Sequence, residues 1–400
     1  MKISVIGCGG WGLAVSTLLH ENGHDVTVWC FLQEEYDTLC RTRGNEKLLP
    51  GVRLSEEIRF TMDLSCAEDA DIVVVAVPSF AVYSTACRLR EFVGQDTPVV
   101  LLSKGFDKEN GWCLLSDSLE KALEGRGRVV ALTGPSHAEE VSRQVPTAVV
   151  AASKDPEAAK TVQQAFMNGF FRVYTHSDIV GAELGGAMKN IMALAVGISD
   201  GAGYGDNTKA MLMTRGIAEM SRFGQHLGGE RETFAGLSGV GDLIVTCISR
   251  HSRNRRAGLM IGEGVEPHEA VKRVGATVEG WFATEAVHFL AQGSGIELPI
   301  SEAMYRLLFE GEPLQQVVHE KDAVAITLVV TSTVAMDLFN LFIFVLRMTI
   351  HECKISERNF SDGLKTSVNI MFSKKNKALE KNVFSLLYNA ILIKIVKKFS

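Results

Sequence analysis

Short apolar runs recur over the first 175 residues of the chain and alternate with longer segments of helical character. Continuous apolar runs of this length are typical of strands that are buried on both faces of a sheet. Strands that alternate with helices predict a mostly parallel, doubly wound sheet, which is an α/β fold. The predicted strands lie at residues 2–7, 25–29, 71–77, 98–103, 129–133, 147–152 and 171–175.

A glycine-rich turn, Gly7-Cys-Gly9-Gly-Trp-Gly12, follows the first run and precedes a predicted helix at 13–21. In this Gly-x-Gly-x-x-Gly pattern the glycines allow a tight turn, a close approach of backbone to a pyrophosphate, and close packing of helix on strand. At the start of a βαβ unit the pattern predicts a dinucleotide site in a Rossmann-like sheet. A glycine turn with a purely structural role remains the alternative.

The strand pattern stops near residue 177, and glycine-containing turns then connect helical segments. We therefore expect a Rossmann-like NAD(P)-binding domain at residues 1–177 and an all-α domain at 178–320. The segment 186–197 of the second domain is apolar except for Lys189 and Asn190. A buried lysine loses the hydration of its charge, which lowers its pKa and suits it to acid/base work. A lysine whose stem follows the apolar face out to water would give the same pattern.

Residues that could bind a ligand also follow the predicted strands. They lie at the carboxyl edge of the sheet, which is where open α/β sheets bind ligands. Lys104 follows the strand at 98–103, and residues 134–138 open a helix whose free N–H groups suit an anion or a cofactor. A surface lysine and an ordinary helix cap are the alternatives. In the second domain Asp242 fits a helix cap as well as a functional carboxylate. The run 252–256 fits either a solvated charged face or a phosphate site.

Composition favours a globular enzyme of the cytoplasm. The chain is 46% apolar and 22% charged, which is ordinary for a protein that buries a large core. Its eight cysteines are scattered without metal-ligand spacing, which predicts reduced thiols and no metal site. A net charge of −6 argues against nucleic acid as a partner. We expect no signal peptide before the first strand.

Taken together, these segments resemble the NAD(P)-dependent glycerol-3-phosphate dehydrogenases, the bacterial type most of all. The resemblance covers roughly residues 1–319. It implies reversible hydride transfer between NAD(P)H and carbon 2 of dihydroxyacetone phosphate, giving sn-glycerol 3-phosphate for phospholipid synthesis. The matching segments are 7–12, 103–106, 134–136, 186–190, 239–243, 252–255 and 278–280.

The resemblance also implies roles for individual residues. Lys189 matches the proton donor and acceptor, Lys104 the second active-site lysine, and Asp242 the aspartate that would orient Lys189. Two neighbouring ammonium groups depress at least one pKa, which helps Lys189 act as a base in the oxidation direction. Arg253 and Asn254 resemble the phosphate clamp. The implied substrate contacts are Lys104, Gly134, Ser136, Asn190, Asp242, Thr246, Ser252, Arg253 and Asn254. The implied cofactor contacts are Gly7, Gly9, Gly10, Trp11, Gly12, Phe31, Lys104, Ala138, Arg253, Thr277 and Glu279.

The implied partner is a small phosphorylated substrate, without nucleic acid or membrane, and a homodimer is left open. Cys30 and Phe31 stand where an acid would bind the adenosine ribose, and Thr277 replaces an aliphatic residue. Nothing in this loop rejects the extra phosphate of NADP, so the sequence does not choose between NAD and NADP. Two alternatives stay open: another Rossmann-plus-helical dehydrogenase of a small hydroxy acid, and a non-catalytic dinucleotide sensor.

The composition changes abruptly after Glu320. Residues 1–320 contain 10 Lys, 19 Arg and 36 Gly, whereas residues 321–400 contain 10 Lys, 2 Arg and one Gly. We interpret 321–400 as an atypical tail unrelated to the enzyme. Its alternative is a membrane anchor, because 323–346 is long and apolar enough to span a bilayer, although Asp337 and Asn340 lie within it. The run 383–396 is short and would lie at an interface or in a core.

Overall fold

The computed structural model describes residues 1–319 and contains an eight-stranded sheet in the first half of the chain. Six of its strands have the parallel order β3-β2-β1-β4-β5-β8, which is the doubly wound arrangement of dinucleotide-binding folds. The strands of the sheet are β1 Lys2–Ile6, β2 Asp25–Trp29, β3 Arg59–Thr61, β4 Ile72–Val75, β5 Pro98–Leu101, β8 Arg128–Thr133, β9 Thr147–Ala152 and β10 Phe171–His176; a separate hairpin pairs β6 Phe106–Asp107 with β7 Cys113–Leu114.

The sheet confirms the predicted fold class, with three differences. β9 runs antiparallel to β8, a direction that the alternation of elements does not encode. β3 was not predicted, because its three residues include no continuous apolar run. β4 and β5 end two residues earlier than predicted, so the residues after them belong to loops at the carboxyl edge of the sheet.

Helices cover both faces of the sheet. Consecutive strand residues point to opposite faces, so Val5 of β1 belongs to one apolar layer and Ile6 to the other. α1 starts at Gly10, three residues before the predicted start, because packing against β1 outweighs the low helix propensity of glycine. The helices of this half are α1 Gly10–Glu21, α2 Gln33–Thr42, α3 Val82–Leu89, α4 Leu115–Leu123, α5 Ala138–Val141 and α6 Pro156–Phe166.

After His176 the described chain contains helices and no further strand, as predicted for an all-α second half. These helices are α7 Ile179–Gly201, α8 Asp206–His226, α9 Arg231–Phe234, α10 Asp242–Ile248, α11 Arg253–Gly262, α12 Pro267–Val274, α13 Glu279–Ala291, α14 Pro299–Tyr305 and α15 Leu314–His319. The predicted tail at 321–400, with its segments 323–346 and 383–396, lies outside the described residues. The division of the enzyme at residue 177 stays a prediction.

α7 is the central helix of the second half and is buried along nearly its whole length. Among the described helices it is the one long and apolar enough to cross a membrane, but 94% of that stretch is buried inside the protein, as in a core helix. Glycines let α11 approach it closely. A Cβ on Gly197 would lie 2.2 Å from the Arg255 carbonyl oxygen, and one on Gly258 would lie 2.2 Å from that of Leu194. This packing fixes α7 and therefore the position of Lys189.

Candidate active site

Two lysines and one aspartate meet where the sheet contacts the helical half. Lys104 follows β5, Lys189 lies in the middle of α7, and Asp242 is the first residue of α10. Lys104 Nζ donates to Asp242 Oδ2 at 2.6 Å, while Lys189 Nζ donates to the other carboxylate oxygen, Oδ1. Asp242 and Lys189 are buried, and the Lys104 side chain is 17% exposed. One carboxylate therefore bridges two ammonium groups.

The local structure explains how these side chains reach each other. Thr246 lies one helical turn after Asp242 and accepts a hydrogen bond from Lys189 Nζ at 2.8 Å. Lys104 Nζ also donates to the carbonyl oxygen of Gly134 at 3.1 Å. A Cβ on Gly186 would lie 3.4 Å from Cγ and Cδ of Lys104, so the lysine stem passes directly over α7 at this glycine. A longer side chain at 186 would compete with that stem.

Burial and charge together set the protonation of this group. Burial lowers the pKa of Lys189 to about 8, because desolvation and the nearby Lys104 ammonium outweigh the opposing charge of Asp242. Burial alone would raise the pKa of Asp242, but the charges and hydrogen bonds of Lys104 and Lys189 outweigh it and hold that pKa below its ordinary value. The carboxylate is therefore ionised, and Lys189 can give up or take a proton near neutral pH.

Arg253 and Asn254 open α11, but they differ in what they contact. Arg253 is exposed, and its side chain makes no hydrogen bond or ion pair with a residue in 1–319, although its charge acts on the buried Glu279 carboxyl and favours its ionised form, which lowers the pKa of that group. Asn254 is buried, where its Nδ2 donates to Asn190 Oδ1 at 2.8 Å and its Oδ1 accepts from Gly280 N at 2.9 Å. Arg255 forms an ion pair with Asp200 at 2.6 Å. Of these side chains, the Arg253 guanidinium is the one open to an anion.

The remaining predicted substrate contacts lie close by. Ser252 is the N-cap of α11, where its Oγ accepts from Arg255 N at 3.2 Å. Ser136 Oγ donates to the Gly134 carbonyl oxygen at 3.0 Å. Gly134 has a φ of 126°, a backbone conformation that favours glycine. The helix predicted to open at 134–138 is α5, which begins at Ala138 and forms a single turn.

The glycine-rich turn has the geometry of a dinucleotide cradle. Gly7 has a φ of 123°, and a Cβ there would lie 2.7 Å from the Ala76 carbonyl oxygen. A Cβ on Gly12 would lie 2.2 Å from the Gly7 carbonyl oxygen, so α1 and β1 pack closely. Gly9 has open space around it and caps the N-terminus of α1, where free N–H groups suit a pyrophosphate. The residues present therefore fit the cofactor.

The other predicted cofactor residues surround this turn and the lysines. Gly10 is the first residue of α1, and a Cβ on it would lie 2.4 Å from the Leu48 carbonyl oxygen. Trp11 and Ala138 are half-buried against the core beneath the turn. Phe31, just after β2, is 65% exposed. Thr277 is half-buried just before α13.

Glu279 opens α13 and reaches the sheet half through Ser79, a residue outside the predicted site. Ser79 Oγ donates to Glu279 Oε2 at 2.8 Å. Burial raises the pKa of Glu279. A Cβ on Gly105 would lie 3.0 Å from Ser79 Cβ and 3.1 Å from Glu279 Oε2, so the loop that carries Lys104 packs against this pair. The sequence signal for Ser79 was its position directly after a strand.

His137 is a second residue outside the predicted site. Its pKa is lowered by burial and by the nearby charge of Lys189. Its Nε2 is buried without a hydrogen-bond partner among the described residues. In the sequence, His137 lies within the segment 134–138 that was predicted to suit an anion or a cofactor, and this position could have identified it.

Two family models match the chain in succession. NAD-dependent glycerol-3-phosphate dehydrogenase N-terminus matches residues 2–159, and the C-terminus model of the same family matches residues 178–319. The chain belongs to this family. The resemblance deduced from the sequence motifs is confirmed.

Individual relatives agree with this membership. The chain is similar to glycerol-3-phosphate dehydrogenase [NAD(P)+] of Fusobacterium nucleatum, with 45% identity over 80% of this chain and 96% of the relative. It is similar to the enzyme of that name from Moorella thermoacetica, with 50% identity over 78% of this chain and 93% of the relative. The crystal structure of glycerol-3-phosphate dehydrogenase from Coxiella burnetii superposes with a TM-score of 0.76 and 37% identity, covering 79% of this chain and 97% of that one.

Family membership and the fit of the glycine-rich turn give the reaction class. The chain is an NAD(P)-dependent oxidoreductase. The alternative hypothesis, a non-catalytic dinucleotide sensor, is therefore wrong. The members of the family act on a small phosphorylated molecule.

Proposed function

We propose that this enzyme interconverts dihydroxyacetone phosphate and sn-glycerol 3-phosphate, with Lys189 as the proton donor and acceptor. The observation that carries the proposal is the buried Asp242 carboxylate bridging Lys104 and Lys189. When bound at the glycine-rich turn, NAD(P)H supplies the hydride. We infer from family membership that the sn-glycerol 3-phosphate formed serves phospholipid synthesis.

Reduction of the carbonyl builds negative charge on its oxygen, and the two ammonium groups are suited to stabilise it. Lys189 transfers its proton to that oxygen, a step favoured by its pKa of about 8. In the oxidation direction the neutral Lys189 amine removes the hydroxyl proton. Asp242 keeps the ammonium groups in place, because its two oxygens each accept from one of them.

Arg253 is proposed to bind the substrate phosphate. Its guanidinium is exposed and makes no hydrogen bond with a described residue, and a planar guanidinium makes paired hydrogen bonds with phosphate oxygens. Asn254 lies beside it, but its amide contacts Asn190 and Gly280, so we assign it to holding α11 against α7 and α13 until substrate binds. Ser252 supports the same turn as its N-cap.

We extend the proposal to the setting of the enzyme. We infer that residues 1–177 bind the cofactor and residues 178–320 complete the substrate site, because Lys104 comes from the sheet and Lys189 from the helices. We infer a cytoplasmic enzyme, because all seven cysteines in the described part of the chain are free, as expected where thiols stay reduced. A homodimer remains open.

The phosphate assignment is tested by pairing substrates with two arginine variants. Arg253→Ala should lower kcat/KM for dihydroxyacetone phosphate by about 10²-fold or more, because a charged phosphate contact is lost. The rate on dihydroxyacetone, which has no phosphate, should change by less than about threefold. Arg256→Ala is the matched control, since Arg256 is exposed on the same helix. Equal losses on both substrates, or equal losses in both variants, would contradict the assignment.

A further inference from the structure

No acidic residue follows β2 at the position where a carboxylate would bind the adenosine ribose. The next helix, α2, carries an acid in its first turn. Glu35 lies in the first turn of α2, and its Oε2 accepts a hydrogen bond from Cys8 Sγ at 3.3 Å. Cys8 stands between Gly7 and Gly9 of the glycine-rich turn. The carboxylate therefore reaches the turn that binds the dinucleotide, although its residue lies beyond the usual strand-end position. Glu35 is half-buried and forms no ion pair with a described residue.

The chain segment around Glu35 is acidic. Residues 30–37 read Cys-Phe-Leu-Gln-Glu-Glu-Tyr-Asp and contain three acids but no lysine or arginine. Enzymes that bind NADP usually place an arginine here to accept the 2′-phosphate. Arg43, just after α2, is committed elsewhere: its Nη2 donates to the Ile58 carbonyl oxygen at 2.6 Å, and its guanidinium covers the Phe60 ring at 4.4 Å.

We propose that Glu35 accepts the hydroxyl groups of the adenosine ribose and makes this enzyme prefer NADH to NADPH. The proposal rests on the proposed function in one respect, that the dinucleotide binds at the glycine-rich turn. A carboxylate accepts strong hydrogen bonds from ribose hydroxyls, whereas it repels a 2′-phosphate that carries about two negative charges. The exposed ring of Phe31 adds no cation that would offset this repulsion.

The test is direct binding, followed by the change in nicotinamide fluorescence as NADH or NADPH is added to the full chain. The parent should bind NADH at least about tenfold more tightly than NADPH, as expected for a hydrogen bond to a charged group. Glu35→Gln should weaken NADH binding by about tenfold and leave NADPH binding equal or tighter. Glu34→Gln is the matched control, because Glu34 is an exposed acid of the same helical turn.

A second measurement uses competing nucleotides that lack the nicotinamide. Adenosine monophosphate should displace bound NADH from the parent at lower concentration than adenosine 2′,5′-bisphosphate does. Cys8→Ala should keep the preference for NADH, since it removes the thiol and leaves the carboxylate.

The outcomes separate the two proposals. A parent that binds NADPH as tightly as NADH, or a Glu35→Gln variant whose preference equals that of Glu34→Gln, would overturn the role of Glu35. A parent that binds neither nucleotide would instead overturn the proposed function.

Discussion

At the scale of single residues, Asp242 determines how the two lysines share the site. It bridges them with separate oxygens, so each ammonium group has a charged partner in a largely buried region. Its charge raises the pKa of Lys189, whereas burial and Lys104 lower it. The resulting pKa is about 8, because burial and Lys104 outweigh Asp242.

Replacing that carboxylate should shift the balance in a defined direction. In Asp242→Asn the Lys189 ammonium loses the charge that favours it, so its pKa should fall below about 8 and reduction should lose rate at lower pH than in the parent. The pH dependence of kcat/KM measures this shift. Asp200→Asn is the matched control, because Asp200 also bridges two cations, Arg255 and Lys209. A shift to higher pH, or the same profile in both variants, would contradict the assigned role of Asp242.

Sequence patterns identify which residues are candidates for the active site, but they do not show which of those residues contact each other. Lys189 was recognisable because a charge in an apolar helix is costly, and the motifs added Lys104 and Asp242. No local pattern gives the contact between Lys104 and Asp242, which are 138 positions apart. The same limit hid Glu35, whose carboxylate crosses from α2 to the glycine-rich turn, and Ser79, whose partner Glu279 is 200 positions away.

At the scale of elements, apolar runs predicted the buried strands and α7, because burial on all sides leaves a continuous apolar sequence. The antiparallel pairing of β9 and the hairpin of β6 and β7 were not predictable, since strand direction depends on where the chain returns to the sheet. The close contact of α7 with α11 was hidden as well. Gly197 and Gly258 are visible in the sequence, but their partners are set by tertiary packing.

At the scale of the whole molecule, the family match ends before the change in composition. The C-terminus model ends at residue 319, and the Fusobacterium relative is covered over 96% of its length by 80% of this chain. Since the family match ends at residue 319 and the composition changes after Glu320, we propose that residues 321–400 are an appendage that the enzyme does not need.

A chain shortened to end at Ile326 should therefore fold, bind NAD(P)H and keep kcat within about twofold of the full chain. It should also be more soluble, because the removed segment 327–346 is strongly apolar. Sedimentation and NADH oxidation with dihydroxyacetone phosphate measure both effects. Loss of cofactor binding on truncation, or recovery of the full chain with membranes, would show that the tail has a structural or anchoring role.

The most direct test of Lys189 as the proton donor is the pH dependence of dihydroxyacetone phosphate reduction in the parent and in Lys189→Met. A lysine with a lowered pKa is protonated below that pKa, so parent kcat/KM for reduction should be constant below about pH 8 and fall above it. The variant should lose about 10²-fold or more in kcat, lack this inflection, and bind NADH as the parent does. A variant with kcat within about threefold of the parent, or with the same inflection, would contradict the assignment.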